Sequence, residues 1–180
     1  ISGTPLQFYR ECAYYASKGL VAVSVEYRIR YLHGTTPGHS LEDAKDAICW
    51  LRTNADRWGA DKNMIAASGA SAGGYLAAAM GVEPQREEVC YRPDLLVLNY
   101  PGLYRFIEIG SVIPPILFLV GSEDPVVPLS AVDEFEKNIK NRNGEFELHV
   151  FENAGHPIFY YRKELDERFY KVRHLTDAFL

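Results

Sequence analysis

Residues Ile65–Met80 read IAASGASAGGYLAAAM, an apolar run that meets an alanine-rich helix former with Gly69-Ala-Ser71-Ala-Gly73 at the junction. Gly-x-Ser-x-Gly alone is weak: in a chain of this length and composition chance supplies it about once in twenty sequences. The context carries more weight. The motif follows an apolar strand former and opens a helix, which is the setting a nucleophile elbow requires. Such a turn is tight and strained, and small residues on both sides let strand and helix approach while the serine Oγ projects outward. Ala70, Ala72 and Gly74 extend that smallness. The helix start offers unpaired N–H groups and a partial positive charge where an oxyanion would form. Ser71 is therefore a candidate nucleophile; a glycine-rich turn without chemistry is the alternative.

Outward from this junction the chain alternates strand and helix patterns. Thr4-Pro-Leu-Gln7 is a capping box with proline at the first helical position, followed by Phe8, Cys12 and Tyr15 at helical spacing up to Gly19. Gly19–Tyr27 is β-branched and nearly continuously apolar, the pattern of a strand buried on both faces. After a loop over 31–39, Ser40-Leu-Glu-Asp43 reads as a second capping box, and Leu41, Ala44, Ile48, Leu51 and Ala55 mark an amphipathic helix. Strands are expected at Met64–Ser68, Asp94–Asn99, Pro115–Gly121 and Phe146–Phe151, with helices at Ala72–Met80, Ser130–Asn141 and the C-terminus. About five alternations without a repeat or linker predict an α/β fold, a parallel sheet covered by helices on both faces, in one domain over 1–180.

In such sheets ligands sit beyond the carboxyl ends of the strands. An alcohol is a poor nucleophile near neutral pH, so Ser71 needs a base and a group to orient that base. Asp124, in Gly121-Ser-Glu-Asp-Pro-Val-Val-Pro128, directly follows a strand; Glu123 and Asp133 are its competitors, and a turn or helix-cap aspartate is its plain structural role. His156, in Glu152-Asn-Ala-Gly-His-Pro157, lies in a glycine-containing loop after the last strand. His33 and His39 are loop residues, His149 lies within a strand and His174 on a charged helix. The chain order Ser71, Asp124, His156 is that of α/β-hydrolases, distinct from the chymotrypsin and subtilisin orders.

Other chemistries find little support. The formal charge is −5 and no basic stretch occurs, which argues against nucleic acid as a partner. No apolar run reaches membrane-spanning length. Cys12, Cys49 and Cys90 are widely spaced and odd in number, so they read as buried thiols rather than as a disulfide framework or a zinc site. The histidines show no paired metal spacing, and neither a metal nor a cofactor is expected. The chain opens on Ile1-Ser-Gly-Thr without methionine or a signal core, so it is expected to begin inside a longer gene product, its N-terminal part missing.

Taken together, these residues resemble the α/β-hydrolase superfamily, and more narrowly its acetyl-esterase and carbohydrate-esterase-like branch near the hormone-sensitive-lipase group. The resemblance rests on Val25-Glu-Tyr27-Arg28, Asp43-Ala-Lys-Asp-Ala-Ile-Cys-Trp50, Trp58-Gly-Ala-Asp61, the Ser71 elbow, the Asp124 loop and Gly155-His-Pro157. It implies a three-layer sandwich with a mostly parallel sheet, of which this chain supplies the fourth to eighth strands. The family's third strand would stand between Val21–Tyr27 and Met64–Ser68, so either upstream residues are expected to fill that gap or these two strands close up directly. It further implies a serine hydrolase that cleaves short-acyl esters, acetyl esters on carbohydrates among them, through an acyl-enzyme. The Ala72 N–H would donate to the oxyanion beside a glycine-rich box that lies upstream in relatives. Tyr100, Tyr104, Phe106 and Phe159 are candidates to line an acyl pocket, with packing in the apolar core as their plain structural role. Competing readings are a prolyl-oligopeptidase-like peptidase and a catalytically silent relative.

Overall fold

In the computed structural model, which describes residues 4–84, 89–103, 107–156, 158 and 167–180, four apolar runs form one parallel sheet. The strands are β1 (Ala66–Ala70), β2 (Leu95–Asn99), β3 (Ile116–Gly121) and β4 (Phe146–Phe151), in the spatial order β1-β2-β3-β4. The register sets Ala70 opposite Asn99, Asn99 opposite Leu119, and Gly121 opposite Phe151. All four carboxyl ends therefore open at the same edge, and the loops that leave them can meet there.

The chain divides into two compact units, Ala66–Val89 with Pro93–Leu180, and Ile1–Ile65 with Cys90–Arg92. The sheet belongs to the first of these, and three helices accompany it: α4 (Ala72–Val82), α5 (Leu129–Lys140) and α6 (Glu167–Phe179). Because neighbouring side chains of a strand point to opposite faces, β2 and β3 need cover on both. On one face Phe118 packs with Phe135 of α5 and with Phe146, at ring-centroid distances of 6.1 and 5.5 Å. Leu96, on that same face, closes against Gly81 of α4, where a Cβ would stand only 2.6 Å from Leu96 Cδ1. On the other face Val97, Leu117, Leu119 and Phe151 form a core with Val172 of α6, and Leu175 and Phe179 pack against it. The result is helix, sheet and helix in three layers, an α/β fold. Each fully buried Leu, Ile or Phe side chain in it contributes about 1.5–3 kcal/mol of transfer free energy.

The second unit is mostly helical: a 3-10 turn (Pro5–Phe8), α1 (Tyr9–Ser17), the single turn α2 (Arg30–His33), α3 (Pro37–Asn54) and a second 3-10 turn (Ala55–Trp58). The first capping box forms as the sequence suggests, with the Thr4 N–H donating to Gln7 Oε1 at 3.4 Å. The second does not form at Ser40. Helix α3 starts a turn earlier because Pro37 supplies a preset φ at the first helical position and Thr36 caps it, its N–H donating to His39 Nδ1 at 3.2 Å. The Ser40 hydroxyl donates instead to the Arg28 carbonyl, at 2.7 Å. Beside it, the Arg28 guanidinium grips Asp43, with Nε and Nη2 at 2.9 and 2.6 Å from Oδ1, while the Arg28 N–H donates to Oδ2 at 2.7 Å.

Two expectations fail in this unit. Residues 20–29 form no strand, and Leu20, Val21 and Val23 are 42%, 46% and 49% exposed. A parallel strand exists through its ladder, and an apolar β-branched pattern cannot substitute for a hydrogen-bonded neighbour. The expected five-strand sheet is accordingly four-stranded among the described residues. The reading of the cysteines as unpaired thiols also fails: Cys49 of α3 and Cys90 form a disulfide, their Cα atoms 4.9 Å apart across a sequence separation of 41. Only Cys12 remains a free thiol, half-buried. Arg52, one turn beyond Cys49, donates to the carbonyls of Cys90 at 3.0 Å and Arg92 at 2.6 Å, and to that of Lys62 as well.

Among the described residues no helix is long and apolar enough to cross a membrane.

Candidate active site

The elbow begins with an unusual backbone. Ser71 lies between β1 and α4 at φ 51° and ψ −112°, a region where a residue with a Cβ is strained. The chain around it holds that conformation. The Ser71 N–H donates to the Asn99 carbonyl at 3.0 Å, and the Ser71 carbonyl accepts from the N–H groups of Tyr75 at 3.0 Å and Gly102 at 2.9 Å. Glycine is required on both sides: a Cβ on Gly69 would lie 2.3 Å from the Gly73 carbonyl carbon, and one on Gly74 would lie 2.8 Å from Pro101 Cα. A serine that begins a helix ordinarily turns its hydroxyl onto the first-turn N–H groups. Ser71 makes no such cap, so its Oγ is available to other partners.

That partner is His156. Its Nε2 lies 2.9 Å from Ser71 Oγ, and its Nδ1 lies 2.7 Å from Asp124 Oδ2. The Asp124 side chain is fully buried, and the carboxylate is satisfied on both oxygens because Oδ1 accepts the N–H groups of Val126 at 2.8 Å and Val127 at 2.9 Å. Three hydrogen bonds offset the cost of removing this charge from water. A carboxylate only accepts, so Nδ1 carries the imidazole proton and Nε2 presents its lone pair to the serine hydroxyl. Glu123 and Asp133, the competing acids, make no such contact with His156 in the described structure; the Glu123 N–H instead donates to the Ala154 carbonyl at 2.9 Å.

The two loops that carry Asp124 and His156 are zipped together. The Ser122 N–H donates to the Phe151 carbonyl at 2.9 Å, and the Asn153 N–H to Ser122 Oγ at 2.9 Å. Gly121 lets them meet, since a Cβ there would stand 2.1 Å from the Ala154 carbonyl oxygen. Sequence reading did not single out Gly121, Ser122 or Asn153; a glycine at a strand end just before an acidic turn was the only available signal. Nor did it find Asn99, whose carbonyl anchors the elbow.

Ala72 is the first residue of α4, and its N–H, like those of Gly73 and Gly74, belongs to the first helical turn that lacks intrahelical acceptors. Of the aromatic residues expected to line a pocket, Tyr100 is 6% exposed and stands edge-on to the His156 ring, centroids 4.8 Å apart. Tyr104, Phe106 and Phe159 lie outside the described residues. Among the described residues no cluster of three or more His, Cys, Asp or Glu side chains is arranged to hold a metal ion.

The chain is similar to known proteins in sequence and in fold. Residues 5–100 match the BD-FAE family. The chain belongs to that family. Among curated proteins similar to this BD-FAE chain is esterase LipC of Mycobacterium tuberculosis, 43% identical over 103 residues, a stretch covering 55% of this chain and 25% of LipC. The chain thus spans about a quarter of the length of the curated esterase relatives it matches first, at 25% of each. Among solved structures, Thermogutta terrifontis esterase 2 phosphorylated by paraoxon is 30% identical with a TM-score of 0.89, over 99% of this chain and 76% of that one. The propionate-bound form of the same esterase is 29% identical with a TM-score of 0.89, over 99% of this chain and 78% of that one.

Proposed function

We propose that this chain is a serine hydrolase acting on carboxylic esters of short acyl groups. The observation that carries the proposal is the continuous line from Ser71 Oγ through the His156 imidazole to Asp124, at 2.9 and 2.7 Å. In the proposed reaction Ser71 Oγ attacks the ester carbonyl carbon while His156 Nε2 takes the hydroxyl proton. Asp124 holds the tautomer and stabilises the imidazolium. The negative oxygen of the tetrahedral intermediate accepts from the Ala72 N–H at the positive end of α4. Collapse breaks the bond to the alcohol, which leaves with the proton from His156, and an acyl-Ser71 ester remains. Water deprotonated by His156 then attacks that ester, and the carboxylic acid departs as Ser71 recovers its proton.

Three comparisons support the class of chemistry. LipC is named an esterase, the Thermogutta enzyme is an esterase with a paraoxon-phosphorylated form, and that enzyme also has propionate- and butyrate-bound forms. Short acids bound to a relative of this similarity favour a short-acyl substrate. Acetyl esters on carbohydrates are the finer proposal, resting on the resemblance to the acetyl-esterase and carbohydrate-esterase-like branch.

Hydrolysis of p-nitrophenyl acetate, butyrate and octanoate, an acetylated sugar and an amino-acyl anilide tests the proposal. Turnover is expected to be greatest for acetate and butyrate. Turnover of the anilide alone would replace the esterase with a peptidase of the prolyl-oligopeptidase kind, and turnover of none of them would leave a silent hydrolase relative.

A further inference from the structure

Two residues with a Cβ occupy the left-handed region at the carboxyl edge of adjacent strands: Ser71 after β1, at φ 51°, and Tyr100 after β2, at φ 36°. The strain at Ser71 has an evident use. Tyr100 holds its positive φ at a position where glycine would fit freely. Its backbone is pinned there, the N–H donating to the Leu119 carbonyl at 2.6 Å, and Pro101 and Gly102 then lead back to the elbow, where the Gly102 N–H meets the Ser71 carbonyl. What the strained backbone delivers is the ring, buried among Val97, Leu119 and Ala154 and set at 79° to the imidazole plane.

The geometry of His156 gives that ring a purpose. Two hydrogen bonds hold the imidazole, its Nδ1–H donating to Asp124 and its Nε2 accepting from the Ser71 hydroxyl. They do not by themselves fix the rotation of the ring about its Cβ–Cγ bond, a turn that swings Nδ1 out of line with Asp124 while Nε2, near that axis, moves less. The terminal torsion of histidine is soft and offers little resistance to that motion. An edge-to-face aromatic neighbour resists it by contact.

We infer that Tyr100 is a positioning residue, whose ring holds the His156 imidazole in the plane that serves both Asp124 and Ser71. The inference rests on the serine-hydrolase reading, and it assigns Tyr100 no contact with substrate. The aromatic body is the working part, so phenylalanine should serve in its place.

The test compares Tyr100→Leu, Tyr100→Gly and Tyr100→Phe in the full chain, each checked for folding by circular dichroism and thermal melting. Glycine takes positive φ without cost, so at least one ring-less variant keeps the backbone. The readouts are kcat and KM for p-nitrophenyl acetate and the low-field proton resonance of His156 Nδ1–H. Loss of the ring is expected to lower kcat about tenfold or more with KM changed less than about twofold, and to broaden or erase the resonance; Tyr100→Phe should rescue both. Wild-type kcat and an unchanged resonance in both ring-less variants would overturn the inference. If the wild-type protein turns over no ester, the hydrolase reading fails, and the resonance alone still decides whether Tyr100 holds the imidazole.

Discussion

Gly121 at the end of β3 and Ala154 in the loop after β4 approach so closely that a Cβ on the glycine would sit 2.1 Å from the Ala154 carbonyl oxygen and 2.6 Å from its carbonyl carbon. Backbone cannot yield as a flexible side chain does, so Gly121→Ala must push one loop away from the other. Asp124 rides on the first loop and His156 on the second. The substitution is expected to destabilise the fold by about 1–3 kcal/mol, as overpacking typically does. Because the 2.7 Å Asp124–His156 hydrogen bond spans the two loops, kcat should fall by more than KM rises. Urea unfolding and steady-state kinetics on the same preparation check both parts.

The Cys49–Cys90 disulfide predicts a redox-dependent stability. A closed loop of this length constrains the unfolded chain by about 4 kcal/mol in the chain-entropy treatment. Dithiothreitol, or Cys49→Ser, should therefore move the urea midpoint downward, while Cys12→Ser should leave it nearly in place. Thiol titration of the denatured, unreduced protein should find one reactive cysteine and find three after reduction. Three thiols without reduction would show that the bond is absent in solution.

The fold and the site were unequally visible in the amino-acid order. Ser71, Asp124 and His156 each follow an apolar run, and in a parallel sheet the residues after such runs share one edge, so their meeting follows from topology. The strands β2 and β3 announced themselves because burial on both faces forces continuous apolar sequence. Residues 19–27 carry the same signature and form no ladder, because composition describes one strand and a ladder needs two. Cys49 and Cys90 gave no sign of pairing: their closeness is produced by α3 and the approach to β2, which no spacing rule expresses. The strained φ of Tyr100 is likewise invisible, since tyrosine after a strand is unremarkable until its backbone is seen.

The Arg28–Asp43 pair predicts a particular acid sensitivity. Hydrogen bonds from the Arg28 guanidinium hold the Asp43 carboxyl below its ordinary value of 3.8. A carboxyl whose value is depressed on folding adds stability that is fully present above its unfolded value and is lost as pH falls through its folded value. The stability difference between wild type and Asp43→Asn should therefore be constant from pH 7 to about pH 5 and shrink below about pH 4. Urea unfolding of both proteins across that range measures it; a difference that grows toward acid would contradict the pairing. Half-exposed Arg28 limits the size of the effect.

Ser71→Ala is expected to lower ester turnover by about 10⁶-fold, as removal of a nucleophile that works with its base does elsewhere. Alanine keeps the Cβ and the elbow hydrogen bonds, which are all made by backbone, so the melting temperature should change little. Turnover that survives in Ser71→Ala would place the chemistry on another residue.

The most direct measurement is the intact mass of the protein after treatment with a fluorophosphonate, followed by peptide mapping. The central claim is that Ser71, hydrogen-bonded to His156, is built to attack. It predicts one adduct per chain, located on Ser71, and none on Ser71→Ala. A folded wild-type protein that acquires no adduct, or acquires it on another residue, would contradict the claim.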